Sequence, residues 1–261
     1  MREIHRHVGG VSLALFLFLS SCSRAPEPAL ASVSQPDSLV QMIEQEIARK
    51  REFQQKVEVF RRRYLTTEVF QKIREYYPII RKYSKRYGLD WRLIVAQILK
   101  ESRFKENARS HKGAMGLMQI MPGTAREITR ELDIEYIIKD PRENITAGIY
   151  HMYKQLQYFS EARPEERIKL ALAAYNCGPA RIFDAQDIAR YKRLDPNTWA
   201  AVKQCLPLLT TDHWKLHLEV WPQGTPNYGY FYGYEETIDY VDDISEKYAI
   251  LKALFKEKEK I

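Results

Sequence analysis

The sequence predicts a mainly α-helical protein, and three observations carry that prediction. Apolar residues recur at intervals of three and four through most of the 261 residues, which is the spacing that lines one face of a helix. Alternating patterns typical of strands are scarce. Residues that start and stop helices flank the periodic stretches, as Gly88 and Asp90 do. With 45% apolar and 29% charged residues, the composition excludes a disordered, collagen-like or polytopic membrane chain.

The first 22 residues predict export and a lipid anchor. A basic start precedes an apolar run over residues 8–19, which is shorter than the ~20 residues that span a bilayer. Residues 1–21 therefore have the pattern of a secretory signal peptide. The sequence Leu-Ser-Ser-Cys resembles a bacterial lipobox, in which Cys22 is acylated and becomes the first mature residue, and Ser23 after it points to the outer membrane. An ordinary cleaved signal with a chance cysteine is the alternative.

Two segments follow the signal. Residues 22–38 hold the acylated cysteine and a stretch rich in Pro, Ser and Ala, which predicts a flexible linker. Residues 39–77 are predicted to form a basic helical segment, in which a helix from about Leu39 is followed by a second helix over Thr67–Tyr77. The second helix is expected to end before Pro78, because a proline disfavours helical backbone in the residue before it.

Positive charge is concentrated in this part of the chain. Residues 49–87 contain thirteen Lys or Arg and four Glu, so their net charge is 13 − 4 = +9, whereas the whole chain carries +7. Such a segment could meet anionic lipid head groups or an anionic polymer. A solvated helix face is the simpler interpretation. Nucleic acid is not expected as a partner, since no groove-reading motif is present.

One helical domain is predicted over residues 78–255, followed by a charged tail at residues 256–261. The helices expected within it are Ile79–Tyr87, Trp91–Ser102, Thr124–Leu132, Ile145–Phe159, Arg167–Tyr175 and Asp239–Phe255. Irregular or short strand structure is expected over Val202–Leu209 and Leu218–Tyr232.

Glu101 is the first candidate for chemistry. It lies at the end of an apolar helical stretch, LIVAQILKES, where partial loss of solvent would raise the pKa of its carboxyl group. A general acid that works near neutral pH needs such a rise. Taken alone, a glutamate at a helix end is more simply explained as solvated or paired.

Three motifs change that balance. ESRFKENARSHKGAMGLMQIMPGTA at residues 101–125 contains two of them, and ALAAYNCGPARI at residues 171–182 contains the third. Their order and spacing resemble the SLT family of lytic transglycosylases. The resemblance implies a mainly α, lysozyme-like fold of the goose type, preceded here by an amino-terminal helical segment. It covers roughly residues 75–255.

Two later segments narrow the resemblance. Residues 196–209 and 231–244 are similar to the catalytic domain of the membrane-bound F branch of this family. That branch carries a solute-binding-like domain before its catalytic domain. The segment 39–77 is too short for such a domain, so any regulation through it is expected to be absent.

The resemblance implies an enzyme that acts on peptidoglycan. Its members cleave the β-1,4 bond between N-acetylmuramic acid and N-acetylglucosamine without water, and they leave 1,6-anhydromuramoyl ends. The implied localisation is the cell envelope, on the periplasmic face of the outer membrane. Proteins of cell-wall synthesis or division are further partners to consider.

The resemblance also assigns roles by position, with Glu101 as the catalytic residue. The substrate-binding set is Ser110, Met118, Gln119, Tyr175, Asn176 and Glu236. Ser110 is expected to orient Glu101 or the substrate's acetamido group, and Tyr175 to bond Glu101 or the reacting sugar. Met118 and Gln119 are expected to line sugar subsites. Ser102 belongs to the signature but could simply satisfy backbone groups.

The residues give this chemistry a physical basis. Ordinary glycosidases use two carboxyl groups at a fixed separation, and no motif fixes a second one near Glu101. Glu106, five residues on, would point elsewhere in a continuing helix. A single acid therefore has to donate a proton and later accept one.

Two alternative functions, the expected absence of a cofactor and a metal, and the state of two cysteines complete the predictions. A muramidase that hydrolyses the same bond, or a non-catalytic peptidoglycan-binding lipoprotein, would keep the same groove. No cofactor and no metal site is expected, because the six histidines lack metal-ligand spacing. Cys177 and Cys205 could pair in an oxidising compartment or remain as two buried thiols.

Overall fold

The computed structural model describes residues 35–135 and 137–255. The predicted signal peptide, Cys22, most of the linker and the charged tail lie outside these residues. The chain divides into two compact units, residues 1–48 and residues 49–261. The described part of the first unit is helical and begins at Gln35.

The described residues form ten α-helices and no named strand. Their bounds are α1 Gln35–Tyr64, α2 Thr67–Arg86, α3 Trp91–Glu101, α4 Pro122–Leu132, α5 Pro141–Gln157, α6 Pro164–Cys177, α7 Pro179–Tyr191, α8 Trp199–Cys205, α9 Trp214–Val220 and α10 Tyr234–Leu254. Two short 3-10 turns connect α8 to α9, at Leu206–Leu209 and Thr211–His213. None of the described helices is both long enough and apolar enough to cross a membrane.

Helix α3 is the centre of the second unit. Its residues from Leu93 to Leu99 are all buried, and a helix that is apolar on nearly every side needs neighbours all round. Helices α2 and α10 pack against it. Asp90 caps its first turn, as predicted, by accepting a hydrogen bond from the Arg92 amide at 2.9 Å. Glu101, the last residue of α3, therefore leaves the core at a fixed place.

Helix α6 is the second buried element, and it packs against α5, α7 and α10. Its run from Leu170 to Ala174 is buried. Gly178 ends the helix with a φ of +86°, a conformation that glycine adopts without steric cost. This places Tyr175 and Asn176 at the end of α6, beside α10.

The predicted helix end before Pro78 is wrong. Helix α2 runs through this proline to Arg86. The buried residues Ile73, Tyr76 and Ile80 lie on one face of α2, whereas Pro78 is exposed. Burial of that face stabilises the helix on both sides of the proline and offsets the missing backbone hydrogen bond.

The expectation of irregular or strand structure over Val202–Leu209 is also wrong. This stretch completes α8 and continues as a 3-10 turn. Val202, Cys205, Leu206 and Leu209 are buried, at the spacing of three and four that favours a helix. Helix α7 was not predicted at all. The stretch Leu218–Tyr232 does contain irregular backbone, over residues 221–232.

Candidate active site

The site is built around the carboxyl group of Glu101. The hydroxyl of Tyr240, on α10, donates a hydrogen bond to Glu101 Oε1 at 2.5 Å. Tyr240 is buried, and its oxygen accepts a hydrogen bond from Gln97 Nε2 at 3.2 Å. Gln97 lies one turn before Glu101 on α3. The two helices therefore fix both the carboxyl group and its hydrogen-bond donor.

Burial raises the pKa of Glu101 to about 7, from an ordinary value of 4.5. The hydrogen bond from Tyr240 and the charge of Lys100 oppose this rise, while the negative charge of Glu236 adds to it. Loss of solvent is the largest cause, since it disfavours the charged form of a carboxyl group. Glu101 can thus be protonated near neutral pH and still be able to release that proton.

A loop from residue 102 to residue 121, called the catalytic loop below, follows Glu101 and forms one wall of the site. Ser102 joins the end of α3 to this loop, because its hydroxyl donates a hydrogen bond to the Leu117 carbonyl at 2.9 Å. Gln119 Nε2 donates to the carbonyls of Ala108, at 3.1 Å, and Gly116, at 2.8 Å. The loop is therefore closed on itself by hydrogen bonds to its own backbone.

Asn144, on α5, holds this loop from behind. Its Oδ1 accepts a hydrogen bond from the Met118 amide at 2.8 Å, and its Nδ2 donates to the Met115 carbonyl at 3.1 Å. Gly116 permits this close approach, because a Cβ there would lie 2.3 Å from Asn144 Nδ2. The φ of Gly116 is +82°. The glycine of the motif is thus explained by a buried amide side chain that the sequence motifs did not indicate.

Ser110 lies in a tight turn of the same loop. Its hydroxyl accepts a hydrogen bond from the Ala114 amide at 3.0 Å, and its amide donates to the Ala114 carbonyl at 2.9 Å. Ser110 is partly exposed. The turn fixes the position of its hydroxyl, and the role predicted for it toward Glu101 or an acetamido group stays a prediction.

Met118 and Tyr175 are joined directly. The Tyr175 hydroxyl donates to the Met118 carbonyl at 2.9 Å, and the charge of Glu101 acts on Tyr175. The bond to Glu101 that was one of two expectations for Tyr175 is made by Tyr240 instead. The Met118 side chain is fully buried, against Gly148 of α5. The Met118 carbonyl is thus used within the fold, and the role predicted for Met118 in lining a sugar subsite stays a prediction.

Asn176 and Glu236 lie on the opposite side, where α6 meets α10. Asn176 Oδ1 accepts a hydrogen bond from the buried Thr237 hydroxyl at 2.7 Å. The residue before Thr237 on α10, Glu236, is exposed and pairs with Lys112 of the loop at 2.9 Å. Glu236 precedes Tyr240 by one helical turn. The binding roles of the six motif residues stay predictions.

Glu106 is excluded as a second acid of this site. Its Oε1 accepts hydrogen bonds from Lys72 Nζ at 2.6 Å and from the Tyr76 hydroxyl at 2.7 Å. These two bonds hold the pKa of Glu106 below its usual value. A carboxyl group kept ionised in this way has no proton to donate at neutral pH.

Five residues of the site were given no role by the sequence interpretation. These residues are Gln97, Asn144, His151, Thr237 and Tyr240. The His151 ring packs edge-on against Tyr175, with ring centroids 4.8 Å apart. Burial lowers the pKa of His151 to about 4, so its imidazole is neutral at pH 7. The sequence around His151 did not indicate this contact, because Tyr175 belongs to another helix, α6.

The possible metal ligands among the described residues lie apart from one another. Within residues 35–135 and 137–255, no three His, Cys, Asp or Glu side chains gather as metal ligands would. Cys177 and Cys205 are free thiols, of which Cys205 is fully buried. Burial raises the pKa of both thiols, which keeps them protonated and weakly reactive.

Comparisons with known proteins agree with this geometry. Residues 78–198 match the family model of the Transglycosylase SLT domain. The chain is 36% identical over 187 residues to the membrane-bound lytic murein transglycosylase F of Desulfosudis oleivorans, across 70% of this chain and 38% of that protein. It is 35% identical over 196 residues to the protein of the same name from Shewanella oneidensis, across 72% of this chain and 37% of that protein. The chain thus spans well under half the length of these relatives.

Solved structures give the fold. The 70 kDa soluble lytic transglycosylase SLT70 from Escherichia coli matches with a TM-score of 0.51 and 23% identity, across 70% of this chain and 25% of that chain. The predicted resemblance to the SLT family and the predicted mainly α, lysozyme-like fold are both confirmed.

Proposed function

We propose that the transglycosylase SLT domain at residues 78–198 makes this chain a peptidoglycan lytic transglycosylase, with Glu101 as its only acid and base. The observation that carries the proposal is the state of this one carboxyl group. Burial raises its pKa to about 7, and a single hydrogen bond from Tyr240 orients it. A group with a pKa near the working pH transfers protons efficiently in both directions.

The first step breaks the β-1,4 bond. Protonated Glu101 donates its proton to the glycosidic oxygen, and the bond from that oxygen to C1 of the muramoyl residue breaks. The positive charge that develops at C1 is stabilised by the substrate's own 2-acetamido group, as in substrate-assisted glycosidases. The Tyr240 hydroxyl stabilises the carboxylate that Glu101 becomes, because it donates to Oε1.

The second step closes the ring. The C6 hydroxyl of the same muramoyl residue attacks C1, and its proton passes to the Glu101 carboxylate. A C1–O6 bond forms, Glu101 regains its proton, and the product is a 1,6-anhydromuramoyl end. An attacking group within the same sugar has a high effective concentration, so the site does not need to position a water molecule.

The surroundings of Glu101 support a single-carboxyl mechanism. Glu106 is held by Lys72 and Tyr76, and Glu236 is exposed and paired with Lys112. The neutral imidazole of His151 has a pKa of about 4, which makes it a poor base for activating water. Glu236 is exposed in the first turn of α10, and this position is more consistent with a role in binding the glycan than with a role in proton transfer.

The binding roles of the other motif residues are part of this proposal. The buried Met118 carbonyl orients the Tyr175 hydroxyl near Glu101, and Tyr175, which is only partly buried, can meet the hydroxyl groups of a sugar. Ser110 and Gln119 lie on the same loop, and Asn176 lies at the end of α6. Substitution of these residues should weaken glycan binding more than it weakens the fold.

The amino-terminal sequence supports a place for the enzyme at a membrane. We infer that Cys22 is acylated and anchors the protein to the periplasmic face of the outer membrane, where the substrate lies. The lipobox-like sequence before Cys22 is the support. Metabolic labelling with a radioactive fatty acid should label the wild-type protein and leave Cys22→Ala unlabelled; equal labelling of both would refute the anchor.

Digestion of purified sacculi tests the activity. Wild-type enzyme should release muropeptides that are one water lighter than the products of a muramidase. Glu101→Gln keeps the size and hydrogen bonding of the side chain but cannot cycle a proton, so it should release none. Reducing-end products would favour the hydrolase, and no product from wild type would favour a non-catalytic binding protein.

A further inference from the structure

A second candidate site lies along α4, the helix that follows the catalytic loop. A groove of about 650 Å³ runs between α4 and the segment after it, a volume within the range of ligand sites. Ala125 and Ile137 form part of its apolar lining, and three cations line it as well. The cations are Arg126, Arg130 and Lys139. The only carboxylate in the lining is Glu135, so the charge there is 3 − 1 = +2.

The acidic and the basic side chains of helix α4 lie on different faces of the helix. Its two glutamates, Glu127 and Glu131, both bind Lys154 of α5, with a distance of 2.8 Å for Glu131. Arg126 and Arg130 are exposed and line the groove instead. Within the described ranges 35–135 and 137–255, neither arginine forms an ion pair or hydrogen bond, and the same holds for Lys139. The acidic residues of α4 therefore bind a neighbouring helix, whereas its basic residues are available to bind a ligand.

The repulsion between the two arginines destabilises helix α4. Arg126 and Arg130 are four residues apart, so they are neighbours on one face, and like charges at this spacing destabilise a helix. The glutamates on the same helix are engaged elsewhere and do not relieve the repulsion. An anion bound between the two guanidinium groups would relieve it, and it would gain the paired hydrogen bonds that arginine makes with carboxylates.

This groove adjoins the catalytic loop through one side chain. Asn144 Nδ2 donates both to the carbonyl of Ile137, at 3.0 Å, and to that of Met115, at 3.1 Å. Ile137 lines the groove, and Met115 belongs to the catalytic loop. Helix α4 also begins at Pro122, two residues after the loop's closing pair between Met115 and Ile120. The groove and the loop are therefore held together by the same amide group.

We propose that the groove binds the acidic peptide stems of peptidoglycan, with stem carboxylates on Arg126 and Arg130. The inference rests on the proposed function, since it concerns the same polymer. Peptide stems carry both free carboxylates and alanine methyl groups, which match the cations and the apolar lining of this groove. A strand stripped of its stems keeps only the lactyl group of each muramoyl residue, whose single carboxylate lies next to the sugar ring and does not extend from the strand as a stem does. The groove would then select strands that still carry their peptides.

The test compares two substrates. The double variant Arg126→Gln/Arg130→Gln should lose about tenfold in kcat/KM on stem-bearing glycan strands and keep wild-type kcat/KM on strands stripped of peptides by an amidase. Activity on the stripped strands reports catalysis at Glu101 by itself. If wild type cleaves neither substrate, the proposed function fails. If the variant loses activity equally on both substrates, or on neither, the groove has no role in stem recognition.

A matched control is available on α2. Arg81 and Lys85 are also exposed, four residues apart, and neither lines the groove. Arg81→Gln/Lys85→Gln makes the same change in net charge and should leave both rates unchanged. An equal loss in this control would show that net charge, and not the groove, determines the preference.

Direct binding gives a second readout that does not depend on turnover. Calorimetric titration of wild-type protein with a soluble stem tetrapeptide should show saturable binding, which the groove variant loses and the α2 variant keeps. Vesicles of anionic phospholipid are titrated in parallel. Loss of vesicle binding in the groove variant with unchanged peptide binding would overturn the proposal, because it would assign the cations to a membrane surface.

Discussion

Two opposing effects set the proton affinity of Glu101. Burial raises its pKa, and the Tyr240 hydroxyl lowers it by donating to the ionised form. The balance, at about 7, is what a group needs that donates a proton and then takes one back. A fully exposed glutamate would already be ionised at neutral pH, and one buried without a donor would hold its proton too tightly.

The pH dependence of turnover follows from this balance. The donating form of Glu101 is the protonated one, so kcat/KM should fall as the pH rises through about 7, by about tenfold for each further pH unit. Rates measured from pH 5 to pH 9 on a fixed glycan substrate check this. A rate that stays constant to pH 9 would contradict the assignment of Glu101 as the acid.

Removal of the Tyr240 hydroxyl should shift the fall of kcat/KM at alkaline pH to a higher pH. Tyr240→Phe deletes the hydrogen bond that favours the carboxylate, so the pKa of Glu101 should rise above about 7 and the limb should shift to higher pH. We expect kcat to fall about tenfold as well, because the carboxyl group loses its orientation. A loss of kcat without any shift of the limb would mean that Tyr240 only maintains packing.

The same carboxyl group should make the stability of the fold depend on pH. Because the folded-state pKa of Glu101 is higher than its ordinary value of 4.5, its contribution to stability is present at low pH and is lost as the pH rises from 4.5 to about 7. Glu101→Gln lacks this ionisation. Its free energy of unfolding should exceed that of wild type at pH 8 by up to about 3 kcal/mol.

Urea denaturation at pH 4 and pH 8 measures the difference. The free energies of unfolding of wild type and Glu101→Gln should be similar at pH 4 and should differ at pH 8. Equal separation at both values would show that the effect of the substitution is unrelated to ionisation.

At the scale of elements, the catalytic loop depends on α5. The motif glycine Gly116 and the motif methionine Met118 are both held by Asn144, which lies outside every motif. A sequence pattern could predict a tight loop at this glycine. It could not predict the side chain that fills the space, because that side chain arrives from a helix packed behind the loop.

Asn144→Ala should therefore destabilise the protein and the site together. The substitution leaves the Met118 amide and the Ile137 carbonyl without their partner, whereas the Met115 carbonyl keeps its hydrogen bond from the Ile120 amide. Buried groups left unpaired cost about 1–3 kcal/mol each, so we expect a loss of about 2 kcal/mol or more in the free energy of unfolding. Chemical denaturation measures it.

Asn107→Ala is the matched control, since Asn107 lies on the same loop and is exposed. It should change the free energy of unfolding by less than about 0.5 kcal/mol. Similar losses in both variants would contradict the role given to Asn144.

Other elements differ in how far local patterns determine them. Asp90 and Gly88 bound their helices as expected because capping is a local interaction. Pro78 misled the prediction, since burial of the neighbouring face outweighs the missing backbone bond. Helix α8 and the turn after it were missed because Val202–Leu209 is too short for its periodicity to be distinguished from that of a buried strand.

At the scale of the whole molecule, the helical fold and the burial of Glu101 could be predicted from the sequence, but the side chain that holds its carboxyl group could not. The apolar stretch before Glu101 indicated burial, and burial is the main cause of its raised pKa. Its partner Tyr240 is 139 residues away in the chain. Only the packing of α10 against α3 brings that hydroxyl to the carboxyl group.

The distribution of carboxylates in the folded second unit supports the same chemistry. Glu106 and Glu236 are each paired with a lysine, and neither is positioned by the fold as Glu101 is. In the proposed mechanism the enzyme relies on the substrate for its nucleophile. The central claim is therefore that the C6 hydroxyl of the substrate, and not water, attacks C1.

Digestion in ¹⁸O-labelled water tests that claim most directly. Purified sacculi are incubated with wild-type enzyme in H₂¹⁸O, and the released muropeptides are analysed by mass spectrometry, with Glu101→Gln as the control. The account predicts anhydromuramoyl ends that contain no ¹⁸O from the solvent. Muramoyl products that carry one ¹⁸O at C1 would show that water is the nucleophile, and they would contradict the account.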